Sequence, residues 1–367
     1  MKKILIDCRW LDKHPRGIGV FNEGLLHGLH STSLLKEGLR FTILAPISYK
    51  RIVKNKYGNI FDYIFTARFP DPIYDFIVIP LLQFIFRFDL IHLTGNTGPI
   101  YLLKKTKIIL TIHDVSFMKK IHLNKGKSIR QKIGMIYRRI LVPKAARYSD
   151  VVITVSQFSS NDIRTEIRME FNPYVIWHGL SFDKLNKIVK NKLDYFVVIS
   201  GPDPQKNLIV VLGAFSRLKV LGKDISKLKI IGLTIEEFIS INPKFIITSG
   251  IEFCGKLTHQ ETLQIISNAK CTLIPSYYES FGLPAMESLM MCTPVICSST
   301  GALREVAGDA GIYFEPTSQE SLVEAIIDFQ ENNFDEKRLT KWVDENKKRC
   351  SWNYVAKEYL NIYKKFL

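Results

Sequence analysis

The chain has 367 residues, 46% hydrophobic and 23% charged, a balance that suits a globular protein of two domains and excludes a disordered or fibrous chain. Its longest apolar run, Phe76 to Phe86, is interrupted by Pro80 and Gln83 and is too short for a bilayer span, while Asp7 cuts off the apolar run that follows Lys2 and Lys3, so neither a membrane helix nor a signal peptide is expected. The net charge of +16 is lopsided: residues 1–182 hold 28 Lys and Arg against 13 Asp and Glu, whereas residues 183–367 hold 23 against 22, so the first half is expected to face a polyanion such as nucleic acid, anionic lipid or a phosphorylated substrate.

In chain order, strands are predicted at Lys3–Asp7, Phe41–Ala45, Asp89–Leu93, Lys107–Ile112, Val151–Val155 and Tyr174–Trp177. A second series follows at Tyr195–Ser200, Leu228–Gly232, Ile251–Cys254, Cys271–Pro275, Pro294–Ser298 and Ile312–Phe314. Continuous apolar runs such as Ile108-Ile109-Leu110-Thr111-Ile112, alternating with helical patterns, mark parallel strands covered on both faces. Two doubly wound α/β domains are expected, 1–178 and 195–351, with the polar, Lys-rich segment 179–194 as linker. The six cysteines form no CxxC and no Cys/His cluster, so inert buried thiols in a reducing compartment are expected.

The densest chemistry lies in Pro275-Ser276-Tyr277-Tyr278-Glu279-Ser280-Phe281-Gly282-Leu283-Pro284-Ala285-Met286-Glu287, a loop between an apolar strand and a helical pattern. Pro284 suits the first helical position, and the amides of such a helix start suit a diphosphate. Glu287 in the first turn offers a carboxylate for two vicinal hydroxyls, and Glu279 lies where a sugar attached to that diphosphate would sit. Taken alone, the two acids also fit a favourable first-turn residue and a solvated loop residue. Arg16-Gly17-Ile18-Gly19 follows the first strand and opens a helix, a second candidate phosphate turn. His113 ends an apolar strand at the carboxyl edge, where open α/β sheets bind ligands, although a satisfied core histidine is the ordinary reading there. Between Lys119 and Arg147, Ile129, Ile133, Ile136 and Ile140 form an apolar stripe beside basic residues that include Arg130, Arg138 and Arg139. Together with Phe76–Phe86 this stretch is expected to meet anionic lipid.

The Glu279…Glu287 pair within SYYESFGLPAMES, followed by MMCTPVI and EVAGDAG and preceded by TIHD, TVSQFS and DPQKN, resembles the retaining glycosyltransferases of family GT4 and their EX7E motif. The blocks stand in the family's order over almost the whole chain. The resemblance implies a GT-B fold, two Rossmann-like doubly wound domains facing a central cleft, with the helix at 352–367 crossing back onto the N-terminal domain. It assigns catalytic roles to Glu279, His113 and Lys206. Donor binding falls to Gly17, Gly19, Lys206, Glu279, Ser280, Phe281, Gly282, Leu283 and Glu287, with Glu287 on the ribose and Lys206 on the diphosphate. Two departures stand out: Gln205 replaces the commoner Arg before Lys206, and Ser280 replaces the usual Gly after the first Glu. Arg16 is a candidate for the missing phosphate charge and, with Arg130, Arg138 and Arg139, for the acceptor and membrane side.

The resulting expectation is a cytoplasmic retaining hexosyltransferase, peripheral on the inner face of the membrane. It would carry mannose from GDP-mannose to a lipid-linked or oligosaccharide acceptor of a bacterial surface glycan. No metal, no cofactor and no nucleic acid are expected. The alternatives are a UDP- or dTDP-sugar donor, sugar-nucleotide epimerase activity and, remotely, a non-enzymatic polyanion-binding protein.

Overall fold

A computed structural model describes residues 1–12, 17–31, 38–103, 105–119, 129–181, 189, 191–223, 226–332 and 334–367. Among these, the residues of Met1–Lys120, Gly126–Leu180 and Arg349–Leu367 gather into one compact unit and those of Ser181–Lys348 into a second. The sheet of the first unit comprises β1 (Lys2–Asp7), β2 (Leu39–Pro46), β3 (Asp62–Thr66), β4 (Leu90–Leu93), β5 (Lys107–Thr111), β6 (Val151–Thr154) and β7 (Tyr174–Val175), in the order β3-β2-β1-β4-β5-β6-β7. The second unit has β8 (Leu193–Ile199), β9 (Lys227–Ile231), β10 (Ile251–Gly255), β11 (Ala269–Ile274), β12 (Val295–Ser298) and β13 (Gly311–Phe314), in the order β10-β9-β8-β11-β12-β13. The pairings within both sheets are parallel, with the order reversing between β1 and β4 and between β8 and β11. Such reversals open a crevice at the carboxyl ends of the strands, where ligands bind in sheets of this type.

The apolar runs account for the strands, and twelve lie within two residues of their expected positions. β3 was not expected. Its sequence DYIFT is half-buried throughout at the sheet edge, so it carries no continuous apolar run. β8 begins at Leu193, inside the expected linker, and Lys192 is already tied to this unit, its Nζ donating to the Ser267 carbonyl at 2.7 Å and to Thr293 Oγ1 at 2.9 Å. Residues 182–188 and 190 of that linker lie outside the described residues. The expected boundary at 351/352 falls instead at 348/349: the Arg349 guanidinium lies 3.4 Å from the centroid of the Trp177 ring, and Leu180 bridges Ser351.

In the first unit the helix Ile18–Ser31 (α1) lies against the C-terminal helix Trp352–Phe366. A side chain at Gly24 would collide with the Trp352 indole, so only glycine admits this close approach. Tyr363 reaches from the C-terminal helix into the sheet, where its hydroxyl lies 2.6 Å from His92 Nδ1, and His92 Nε2 lies 2.8 Å from Thr111 Oγ1. Burial pushes His92 down to about 3, so its ring is neutral and bridges the two hydroxyls.

A short helical turn, Asp71–Ile73 (α2), runs through a π turn at Tyr74–Val78 into Ile79–Phe86 (α3). Pro80 has no N–H to give, and its ring presses on the preceding turn, which widens so that the Ile79 N–H reaches the Tyr74 carbonyl. The segment is anchored by Arg9. Its guanidinium donates to Asp7 at 2.6 Å and Asp75 at 3.0 Å between the Trp10 and Tyr74 rings, while the Tyr137 hydroxyl donates to Asp75 at 2.7 Å from the helix Ile129–Tyr148 (α4). The six cysteines are free thiols.

Candidate active site

In the second unit β8 and β11 are neighbours, so the loops leaving their carboxyl ends meet. The Tyr277 N–H donates to the Gln205 carbonyl at 2.9 Å, the Gln205 side-chain amide donates to the Tyr278 carbonyl at 2.7 Å, and Asn207 Nδ2 donates to the Pro275 carbonyl at 3.0 Å. This lacing brings Lys206 Nζ to 2.6 Å from Glu279 Oε1, the same oxygen that accepts from Ser276 Oγ at 2.8 Å. Gln205, which stands where the family commonly has Arg, thus braces the acidic loop through its amide. The loop after β12 adds a second brace. Gly301 lies flush against the Glu279 backbone with φ +68°, where a side chain would strike that backbone, and the Ala302 N–H donates to the Glu279 carbonyl at 2.9 Å.

The helix Leu283–Met290 starts just beyond, with Gly282 at φ +95° as its cap, so no side chain closes its N-terminus. Leu283 is the first helical residue and Pro284 the second, one place later than the expected first position. Phe281 is buried. Glu287 sits in this helix, largely buried, with Oε1 2.7 Å from His259 Nε2. His259 opens the neighbouring helix His259–Asn268, capped by Thr258 and Glu261. Sequence reasoning missed His259, Ser276 and Gly301 because their partners lie 28, 3 and 22 positions away and only the folded loops bring them together. The TxxE pattern at Thr258 does announce the helix start that carries His259.

In the first unit Gly17, at φ +50°, leads into α1, whose first turn contains the buried Gly19. Arg16 lies outside the described residues. His113 is buried beyond β5: its Nε2 donates to the Thr94 carbonyl at 2.8 Å and its backbone N–H to Asn96 Oδ1 at 2.7 Å. Burial lowers its pKa against the pull of the Thr94 carbonyl and Asp114, so the imidazole is neutral with its proton on Nε2 and Nδ1 left as an acceptor. It stacks on His178 at 5.5 Å.

The basic helix α4 differs from its expected form. The side chains of Ile129 and Arg130 lie outside the described residues. Arg138 bonds the Gly134 carbonyl and covers the Phe117 ring, and Arg139 bonds the Phe117 and Lys119 carbonyls. Both arginines are partly buried, Arg139 tying the 117–119 segment to α4 and Arg138 lying over the Phe117 ring. The Ile stripe, by contrast, points outward: Ile133 is 62% exposed, Ile136 58% and Ile140 51%, while the opposite side of the helix buries Met135, Val142 and Ala146. Among the described residues no group of three or more His, Cys, Asp or Glu is placed to hold a metal, and no helix is long and apolar enough to cross a membrane.

Comparison with known proteins bears on the whole chain. The family model described as Glycosyltransferase Family 4 matches residues 29–183 and that described as Glycosyl transferases group 1 matches residues 182–349. Among curated proteins, the O-antigen chain mannosyltransferase B of Escherichia coli is 29% identical over 31% of this chain and 30% of its own length. The MMP alpha-(1->4)-mannosyltransferase of Mycolicibacterium hassiacum is 27% identical over 60% and 56%, and the O-antigen chain mannosyltransferase RfbU of Salmonella typhimurium 24% identical over 61% and 64%. The matched stretches therefore span less than two thirds of these relatives' lengths. Among solved structures, the sucrose-phosphate synthase of Thermosynechococcus elongatus superposes with a TM-score of 0.74 at 15% identity over 100% of this chain and 99% of that one. Anabaena HepE in complex with UDP-glucose superposes with 0.69 at 13% identity over 100% of both. Two consecutive family models, two parallel sheets that share one strand order over their first six strands and these structural neighbours agree, and the chain is a member of glycosyltransferase family GT4 with the two-domain α/β GT-B fold.

Proposed function

We propose that this protein is a retaining hexosyltransferase that moves mannose from GDP-mannose to a lipid-linked bacterial surface glycan at an anionic membrane, without a metal ion. The observation that carries the reading is the Lys206–Glu279 pair, laced at 2.6 Å beside a helix start that no side chain caps, with Glu287 in that helix. A diphosphate at this helix start meets a positive dipole end and the Lys206 ammonium, which it draws away from Glu279. Glu279 is then left to accept from the sugar hydroxyls and Glu287 from the ribose. In the transfer, the bond between the anomeric carbon and the diphosphate oxygen breaks and a bond to the acceptor oxygen forms on the same face. The acceptor's proton passes to the leaving diphosphate, so the residues of this site supply charge stabilisation and no general base.

Mannose is favoured by the named activities of the three curated relatives, and a UDP-sugar by the ligand of the HepE structure. Purified protein should hydrolyse GDP-mannose faster than UDP-glucose or UDP-galactose, transfer with retained anomeric configuration by NMR, and keep its activity in EDTA. Preference for a UDP-sugar, an inverted product, or an EDTA loss restored by a divalent ion would each overturn the corresponding part of the reading.

The lipid side rests on the outward Ile stripe of α4 and on Ile77, Leu81, Phe84 and Ile85, which are exposed along the neighbouring π turn and α3. Residues 76–88 and 129–149 contain no acidic residue, and Arg87, Lys132 and Lys144 stand exposed among them. Exposed aliphatic residues in two segments that carry exposed cations and no acid suit an anionic bilayer, whereas a second copy of a +16 chain would be repelled.

A further inference from the structure

His259 is half exposed at the first position of its helix, yet its Nε2 lies 2.7 Å from Oε1 of Glu287, whose side chain is 12% exposed. A carboxylate only accepts, so Nε2 is the donor, and it carries a proton both in the neutral Nε2–H tautomer and in the imidazolium. Among the described residues no other hydrogen bond to the Glu287 carboxylate is made. The contact uses one lone pair of Oε1. It leaves Oε2 and the second lone pair of Oε1 open, which is what two vicinal hydroxyls require. A glutamate without such support turns about three side-chain bonds, and freezing them when a ligand binds costs conformational entropy.

We infer that His259 is a positioning residue for donor binding, holding the Glu287 carboxylate in the orientation that receives both ribose hydroxyls. The inference rests on the reading of Glu287 as the ribose ligand. It differs from a structural role in one consequence: its effect must disappear with a nucleotide that has no ribose hydroxyls.

Calorimetry with GDP, UDP and ADP, each beside its 2′,3′-dideoxy form, tests this. For the diphosphate the parent binds, His259→Ala should weaken the ribose form roughly three- to tenfold, the scale of one lost hydrogen bond, and leave the dideoxy form unchanged. His259→Gln, whose amide N–H donates from a similar reach, should restore most of the loss. In turnover the donor KM should rise while kcat holds. Thr258 and Glu261 cap the helix independently of His259, so the variant should fold, and an unchanged thermal midpoint checks this. Equal losses for both nucleotide forms, no loss, or tighter binding by His259→Ala would overturn the inference. Glu287→Gln on the same ligands separates the two readings. If it is selective for the ribose form while His259→Ala is not, only the inference fails. If it affects both forms equally or neither, or if the parent binds none of the diphosphates, the ribose reading itself fails and the inference with it.

Discussion

At the scale of single residues, the site places charges by backbone lacing more than by side-chain packing. Lys206 is 35% exposed, and its ion pair with Glu279 contributes little to folding, since partly exposed pairs are worth about 0–1 kcal/mol. On the proposed function its value lies at the leaving group, where removing one preorganised donor costs roughly 10²- to 10³-fold in rate. Lys206→Ala should therefore lower kcat by about that factor while the thermal midpoint scarcely moves. A variant that turns over normally at saturating donor, or that unfolds at a much lower temperature than the parent, would assign Lys206 to the fold. Glu279, Glu287 and Lys206 were legible in the sequence because loop-then-helix punctuation and motif wording are local signals. Gly301 and His259 were not, because what they do is defined by a partner on a separate element or loop, and Ser276 was not, because only the folded turn of its own loop aims its hydroxyl at Glu279.

At the scale of elements, the C-terminal helix is held to the first unit's sheet by the Tyr363–His92–Thr111 chain, in which a neutral imidazole joins two hydroxyls. The native ring takes up a proton only near about 3, whereas an unfolded histidine does so near its ordinary 6.5. Between those values the unfolded chain binds the extra proton, so stability falls as pH drops from about 6.5 toward about 3. His178, which burial also lowers to about 3, acts in the same direction. Urea unfolding of His92→Asn followed from pH 7 to 4 should show a stability slope against pH shallower than the parent's by up to about one proton. Parallel slopes would remove His92 from the acid response. The strand series shows why such elements could be read in advance: buried parallel strands are continuously apolar. The half-exposed β3 and the π turn before Pro80 escaped, one because an edge strand lacks that pattern and the other because a widened turn has no period of its own.

At the scale of the whole molecule, the charge asymmetry pointed to a polyanion, but the fold changes which residues would meet it. Arg138 and Arg139 are occupied with Phe117 and Lys119, so replacing them with acids would damage the 117–119 segment before it tested any surface. The outward residues include Ile77, Leu81, Ile133 and Ile136. The parent should sediment with vesicles containing phosphatidylserine or cardiolipin, and Ile77→Ser, Leu81→Ser, Ile133→Ser and Ile136→Ser combined should abolish this while hydrolysis of soluble donor continues. Because aliphatic insertion is not screened, part of the binding should survive salt high enough to bring the Debye length below about 8 Å. A parent that stays in the supernatant, or a fourfold variant that pellets like the parent, would remove this face from any membrane role.

By itself the sequence determined the two-sheet α/β architecture, the succession of the strands and the acidic loop before a helix, since burial on both faces, turn chemistry and helix starts are written in consecutive residues. Tertiary structure alone decided which loops share a site. The adjacency of β8 with β11 puts Lys206 on Glu279, and the pairing of β11 with β12 presses Gly301 against the Glu279 backbone. It likewise decided that Ile133, Ile136 and Ile140 of α4 face outward while Arg138 and Arg139 lie partly buried against residues 117–119 and 134. A helical period reports that a stripe exists, whereas the side that meets solvent is set by what the rest of the chain packs against it.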